Sequence, residues 1–308
     1  AGSFGMAVST AMIFGLVSLM FLDTSINMAM QPFKMMVGDM VNEKQKGLAY
    51  SIQSFLCNAG SLVGFLFPFI FTWIGISNIA PQGVVPDSVI YSFYIGAAIL
   101  ILCVIYTTVK VKEMPPAEYA EYHGITEEEK KEKINMVKLL VKAPKAFWTV
   151  GLVQFFCWFA FMFMWTYTNG SVAANVFDAP TVETVVNGAN KVVLDTKSIQ
   201  YQNAADWVGV LFAVQAIGSV LWAVCIPMFK NRKLIYSLSL VLGGIGFIST
   251  YFVHNQYVLF ISFLLIGCAW AAMLALPFTI LTNALSGGHM GTYLGLFNGT
   301  ICIPQIVA

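Results

Sequence analysis

The chain has 308 residues, 58% of them hydrophobic and only 10% charged, with a formal net charge of +1 and a mean hydropathy of +0.76. A soluble domain carries about 25% charged residues, so this composition excludes an ordinary water-soluble domain and indicates an all-α polytopic membrane protein. No polybasic patch points to a nucleic-acid partner; the lipid bilayer is the expected surrounding.

Seven complete apolar spans are predicted, at 4–39, 47–75, 89–109, 147–176, 205–229, 234–253 and 257–283, with an eighth begun at 291. Each complete one has at least about 20 residues, enough to cross a hydrocarbon core of about 30 Å. The longer ones imply tilt or projection beyond the membrane. The chain opens on Ala-Gly-Ser and stops inside an apolar segment at Ala308, so it is expected to be part of a longer polypeptide. Cys57, Cys103, Cys157, Cys225, Cys268 and Cys302 stand singly inside apolar runs. With no CxxC pair, they read as small buried hydrophobes, and neither a metal nor a cofactor is expected.

If the spans alternate in direction, segments 40–46, 110–146, 230–233 and 284–290 share one side. That side holds Lys44, Lys46, the lysines of 110–146, Lys230, Arg232 and Lys233, whereas the other holds only Lys191 and Lys197. Positive charge is retained in the cytoplasm, so the first span runs from outside to inside. Segment 110–146 differs in kind. Pro115-Pro116 and the mixed charges of 127–133 precede Met136, Val137, Leu139, Leu140 and Val141. This pattern predicts a solvated linker ending in an amphipathic helix on the membrane surface. Three units follow: 1–109, the linker 110–146, and 147–308. On the outer side, alternation around Asn187-Gly188 fits a small hairpin within 177–204.

Candidate functional residues cluster in the first span. Asp23, Asn27 and Lys34 interrupt an apolar run, and a charge that costs a few kcal/mol to place in a bilayer is usually there for a function. At about 100° per residue, Asn27 lies roughly 40° and Lys34 roughly 20° round from Asp23, which makes one polar stripe. Asp39 falls nearly opposite, at the helix end. Eleven residues separate Asp23 and Lys34 by about 16 Å along a straight helix, so no direct ion pair is expected. With Lys34 leaning back toward the N-terminus, a gap of very roughly 10 Å remains, about the length of a sugar unit or two. Pro32, between them, is able to kink the helix. The plainer reading is an Asp and a Lys neutralised by neighbouring helices as structural glue. Gln154, Gln215, Asn298 and Gln305 are polar within apolar helices, where interhelical hydrogen bonding competes with substrate contact. Trp158 is deep enough to line a cavity, while Trp165 and Tyr167 read better as interfacial anchors.

Three patches together resemble the sucrose/proton symporter-like branch of the major facilitator superfamily, the glycoside–pentoside–hexuronide cation symporters. The first is Asp23, Asn27, Pro32, Lys34 and Asp39; that branch carries a basic residue, usually Arg, at the position of Lys34. The second is Gln154-Phe155-Phe156-Cys157-Trp158-Phe159-Ala160 with Trp165 and Tyr167. The third is Gly291-Thr292-Tyr293-Leu294-Gly295-Leu296-Phe297-Asn298 with Ile303-Pro304-Gln305.

The resemblance implies a two-bundle fold of which this chain covers helices four to eleven. Residues 1–109 are then the remainder of the N-terminal bundle, 110–146 a cytoplasmic linker, and 147–308 a truncated C-terminal bundle. It further implies alternating access around a midplane site. Asp23 takes the coupling cation, a proton in preference to sodium. Asn27, Lys34, Gln154, Trp158 and Asn298 contact a small sugar, and Asp39 belongs to a cytoplasmic gate. A monomer in a bacterial inner membrane is the expected setting. The competing readings are a facilitator of another small polar solute without cation coupling, a seven-helix receptor or sensor, and an intramembrane enzyme. The last lacks any His-Glu-x-x-His pair or serine elbow, and an enzyme is not expected.

Overall fold

A computed structural model describes residues 2–76, 87–112, 136–186, 189–285 and 290–308, together with Pro115, Glu118 and Glu121. The long helices follow the apolar runs: α1 (Gly2–Met40), α2 (Glu43–Trp73), α3 (Asp87–Lys110), α5 (Lys145–Asn175), α6 (Ile199–Cys225), α7 (Arg232–Phe252), α8 (Leu259–Ala284) and α9 (Met290–Val307). A short α4 (Met136–Val141) precedes α5, and a hairpin of β1 (Thr181–Val186) and β2 (Ala189–Leu194) precedes α6. The architecture is that of an all-α polytopic membrane protein. The hairpin pairs antiparallel from Thr181 with Leu194 to Val186 with Ala189; its turn, 187–188, lies outside the described residues. So do most of the charged linker, including 127–133, and His123 and His289.

Six helices among the described residues are long and apolar enough to cross a membrane. The sequence predicted seven complete spans and an eighth begun; α2 and α9 are the two not among the six. Asn298 and Gln305 lower the hydropathy of α9, whereas 54–71 of α2 is strongly apolar and includes Pro68 and Phe69, whose side chains lie outside the described residues. Pro32 does not end α1, which continues as helix to Met40.

The core is organised on α8, which packs against α2, α5, α6 and α7. In its most apolar stretch 61% of the residues are buried, against 6% in that of α3 and none in that of α1, which lies within Ile13–Lys34. Close approach is what sets this centre. A Cβ on Gly218 of α6 would come within 2.6 Å of the Leu264 carbonyl oxygen, and one on Gly267 of α8 would strike the Gln215 carbonyl. Such small-residue contacts let membrane helices gain dispersion energy that lipid tails cannot replace. The Ser219 hydroxyl, donating to the Gly267 carbonyl at 2.8 Å, fastens the same crossing.

Two aromatic clusters flank it. Phe161, Met164, Phe263 and Met273 fill one between α5 and α8. Tyr50, Phe147, Phe278 and Phe297 fill the other, joining α2, α5, α8 and α9. Helix α4 docks on the second: Tyr293 of α9 donates to the Leu139 carbonyl at 3.2 Å. Its Met136, Val137 and Val141 stay exposed, which suits the surface helix expected there.

Candidate functional site

Lys34 lies where α1 meets α2, α8 and α9, and its side chain is only 8% exposed. Its Nζ stands 4.5 Å from the centroid of the Phe278 ring on α8. An ammonium over a ring face is held by the ring quadrupole, an attraction of about 2 kcal/mol when water is excluded. The position is fixed from both sides. The Tyr50 hydroxyl donates to the Lys34 carbonyl at 3.2 Å, and Tyr50 packs on Phe278 at 6.1 Å. Phe278 in turn meets Phe297 of α9 edge-on at 5.9 Å. Cys57 of α2 and Cys302 of α9 lie within electrostatic range of the ammonium.

Asp23 occupies a different environment. The side chains from Ile13 to Ile26 are all exposed, Asp23 among them, and Asn27 is half-buried. The Asn27 amide donates to the Asp23 carbonyl oxygen at 2.9 Å, one turn back. Because α1 runs unbroken, Asp23 and Lys34 remain about 16 Å apart along the axis. They share a stripe, but the described residues do not bring them into one enclosed hollow. Asp39 is on the last turn of α1; its side chain lies outside the described residues.

On α5, Gln154 and Trp158 are one turn apart with different fates. Gln154 is fully buried. Its amide donates to the Met273 carbonyl at 3.3 Å, and its oxygen accepts from the Tyr236 hydroxyl at 3.4 Å. Both ends are thus spent on holding α5 to α8 and α7. Trp158 is half-buried and stacks edge-on against Trp270 at 5.5 Å and Trp165 at 6.3 Å. Its enclosed indole N–H has no hydrogen-bond partner among the described residues, which an approaching oxygen would supply. Asn298 donates to Cys302 Sγ at 3.5 Å, so α9 links it to the surroundings of Lys34. A separate cavity of about 230 Å³ lies between α5, α7 and α8 near Tyr167, Asn175 and Thr250; none of the expected site residues lines it.

Sequence reasoning missed Tyr50, Phe278, Trp270 and Tyr236. For Tyr50 a signal was present. Lys46, Tyr50, Ser54 and Asn58 recur every fourth residue of α2, the spacing of one helix face, and all four are buried. Ser54 donates to the Ala271 carbonyl at 3.1 Å, and Asn58 donates back to the Ser54 carbonyl at 2.7 Å. This face is therefore the seam between α2 and α8.

No curated protein and no solved structure matches the chain. A family model does, over residues 1–308, and its description is Major Facilitator Superfamily. Members of that family are transporters, and the receptor reading, which rested on a span count alone, falls with this match. The apolar helices, the polar stripe on α1 and the family match agree: the chain belongs to the Major Facilitator Superfamily and is an integral membrane transporter.

Proposed function

We propose that this transporter is a cation-coupled symporter of a sugar or glycoside in the sucrose/proton symporter-like branch, working in a bacterial inner membrane with a proton as the coupling ion. The observation that carries the reading is the buried Lys34 ammonium, on the same helical stripe as Asp23 and Asn27 and seated against α8. An ammonium kept buried on a ring face, in place of a hydrophobe of the same size, is expensive unless it serves a solute. Asp23 takes the proton, Asn27 and Lys34 hydrogen-bond sugar hydroxyls, and Trp158 offers an aromatic face and an unspent N–H. Asn298 and Gln154 complete the wall, Gln154 by holding α5 in place, and Asp39 serves the cytoplasmic end. Coupling requires that proton and sugar each raise the other's affinity by the same factor.

The test is uptake into proteoliposomes with a panel of labelled sugars, the pH and sodium gradients being imposed separately. Uphill accumulation of a sugar under a proton gradient alone is expected. Asp23→Asn should abolish that accumulation while sugar exchange at equal concentrations persists. Equal accumulation by wild type and Asp23→Asn removes Asp23 as the coupling group. Downhill entry alone, under either gradient, identifies a facilitator without coupling.

A further inference from the structure

We propose that the cytoplasmic end of the α5, α7 and α8 packing binds the phosphate of an anionic membrane lipid. The turn from α6 into α7 carries Lys230, Arg232 and Lys233, and it borders an open cavity of about 620 Å³ whose remaining walls include Ala146 of α5 and Ile280 and Asn283 of α8. Basic pockets between membrane helices on the cytoplasmic side hold acidic head groups, and the positive-charge bias of the chain puts this end in the cytoplasm.

Charge complementarity singles out an anion. The sequences of α5, α7 and α8 contain no Asp or Glu at all, so the helices that build the cavity offer its three cations no carboxylate. Lys230 and Lys233 are exposed and Arg232 is half-buried. Arg232 is committed elsewhere: its guanidinium lies against α2, where a Cβ on Gly47 would come within 3.2 Å of Nη2. That leaves the two lysines to take the ligand. The backbone beneath them is held in place, since Asn231 caps α7 by accepting from the Leu234 N–H at 3.1 Å.

The surroundings favour a lipid over a free anion. Met228 is 78% exposed and Leu234 56%, on either side of the basic turn. A soluble phosphate would satisfy the lysines and leave that apolar surface bare. An acyl chain covers it while the head group meets the charges.

The experiment is native mass spectrometry of the purified chain, titrated with a phosphatidylglycerol, with a phosphatidylcholine of the same acyl chains, and with glycerol phosphate. The wild type should bind phosphatidylglycerol at least about fivefold more tightly than phosphatidylcholine, since one lysine at a membrane surface contributes about that factor. The double variant Lys230→Gln, Lys233→Gln should lose roughly thirtyfold. The double variant Lys230→Arg, Lys233→Arg should retain the affinity, and Lys112→Gln, on the segment after α3 and not in the wall of this cavity, should not change it. Equal binding of the two lipids by the wild type, or undiminished phosphatidylglycerol binding by the double Gln variant, overturns the proposal. Glycerol phosphate binding as tightly as the lipid also overturns it, in favour of a soluble anion.

Discussion

Lys34 presents two opposed demands on a single residue. Its ammonium is desolvated among α1, α2, α8 and α9, and its attraction to Phe278 offsets only part of that cost. A methionine of similar volume would fill the same space without the charge, and replacing buried ionic groups by hydrophobes is often neutral or stabilising. If Lys34 serves the solute, Lys34→Met should leave the melting temperature in detergent unchanged or higher and lower the rate of solute uptake at least about tenfold, the effect of losing about 1.4 kcal/mol of charged hydrogen bonding. If it is structural glue, the same change lowers the melting temperature and spares transport. Thermal unfolding and uptake measured on one preparation separate these outcomes. Phe278→Leu should act in the same direction but more weakly, because it removes the ring face and keeps the ammonium.

Among the elements, α8 bears the packing, and its glycines decide how closely the neighbouring helices approach. Gly267→Ala would force the new Cβ into the Gln215 carbonyl of α6, which is backbone and unable to step aside. Overpacking of this kind costs about 1–3 kcal/mol. A methyl group added at Gly244 of α7 would meet nothing within 4 Å, so Gly244→Ala should be neutral or gain helix propensity. Thermal unfolding of the two variants side by side is the check, and equal melting temperatures would remove the tight α6–α8 crossing. The helices themselves were legible in the sequence because each lies under an apolar run of membrane length. The hairpin was legible from Val and Thr alternating around Asn-Gly. What the sequence hid is which helix each polar group meets. Lys34 and Phe278 belong to distant stretches, and no local spacing announces a cation over a ring. Gln154 shows the same limit: its sequence leaves interhelical bonding and substrate contact open, and only the fold shows its two ends on Met273 and Tyr236.

For the whole molecule, if 1–109 and 147–308 are the two bundles of the proposed alternating access, the seam between α2 and α8 is where transport and packing conflict. Alternating access moves one bundle of helices against the other around a fixed site, yet Tyr50, Ser54 and Asn58 are buried at this contact and Ser54 is hydrogen-bonded to α8. A seam of hydroxyls and amides suits an interface that has to part. Each such bond contributes only about 1 kcal/mol net, and once separated the same groups are satisfied by water in the opened pathway. Larger aliphatic side chains would hold the seam by dispersion and lose that when wetted. Tethering it should therefore stop the cycle without unfolding the protein. In a background with the six native cysteines replaced, Ser54→Cys with Ala271→Cys, joined by a short thiol-cleavable bifunctional reagent, should lose at least about nine-tenths of solute uptake and recover it on reduction, consistent with motion of packed elements as the step that limits transport. Either single-cysteine variant treated with the same reagent should transport normally. Full uptake by the joined pair would mean that α2 and α8 move together as one body, and the moving interface would then have to lie elsewhere, between α1 and α9 beside Lys34.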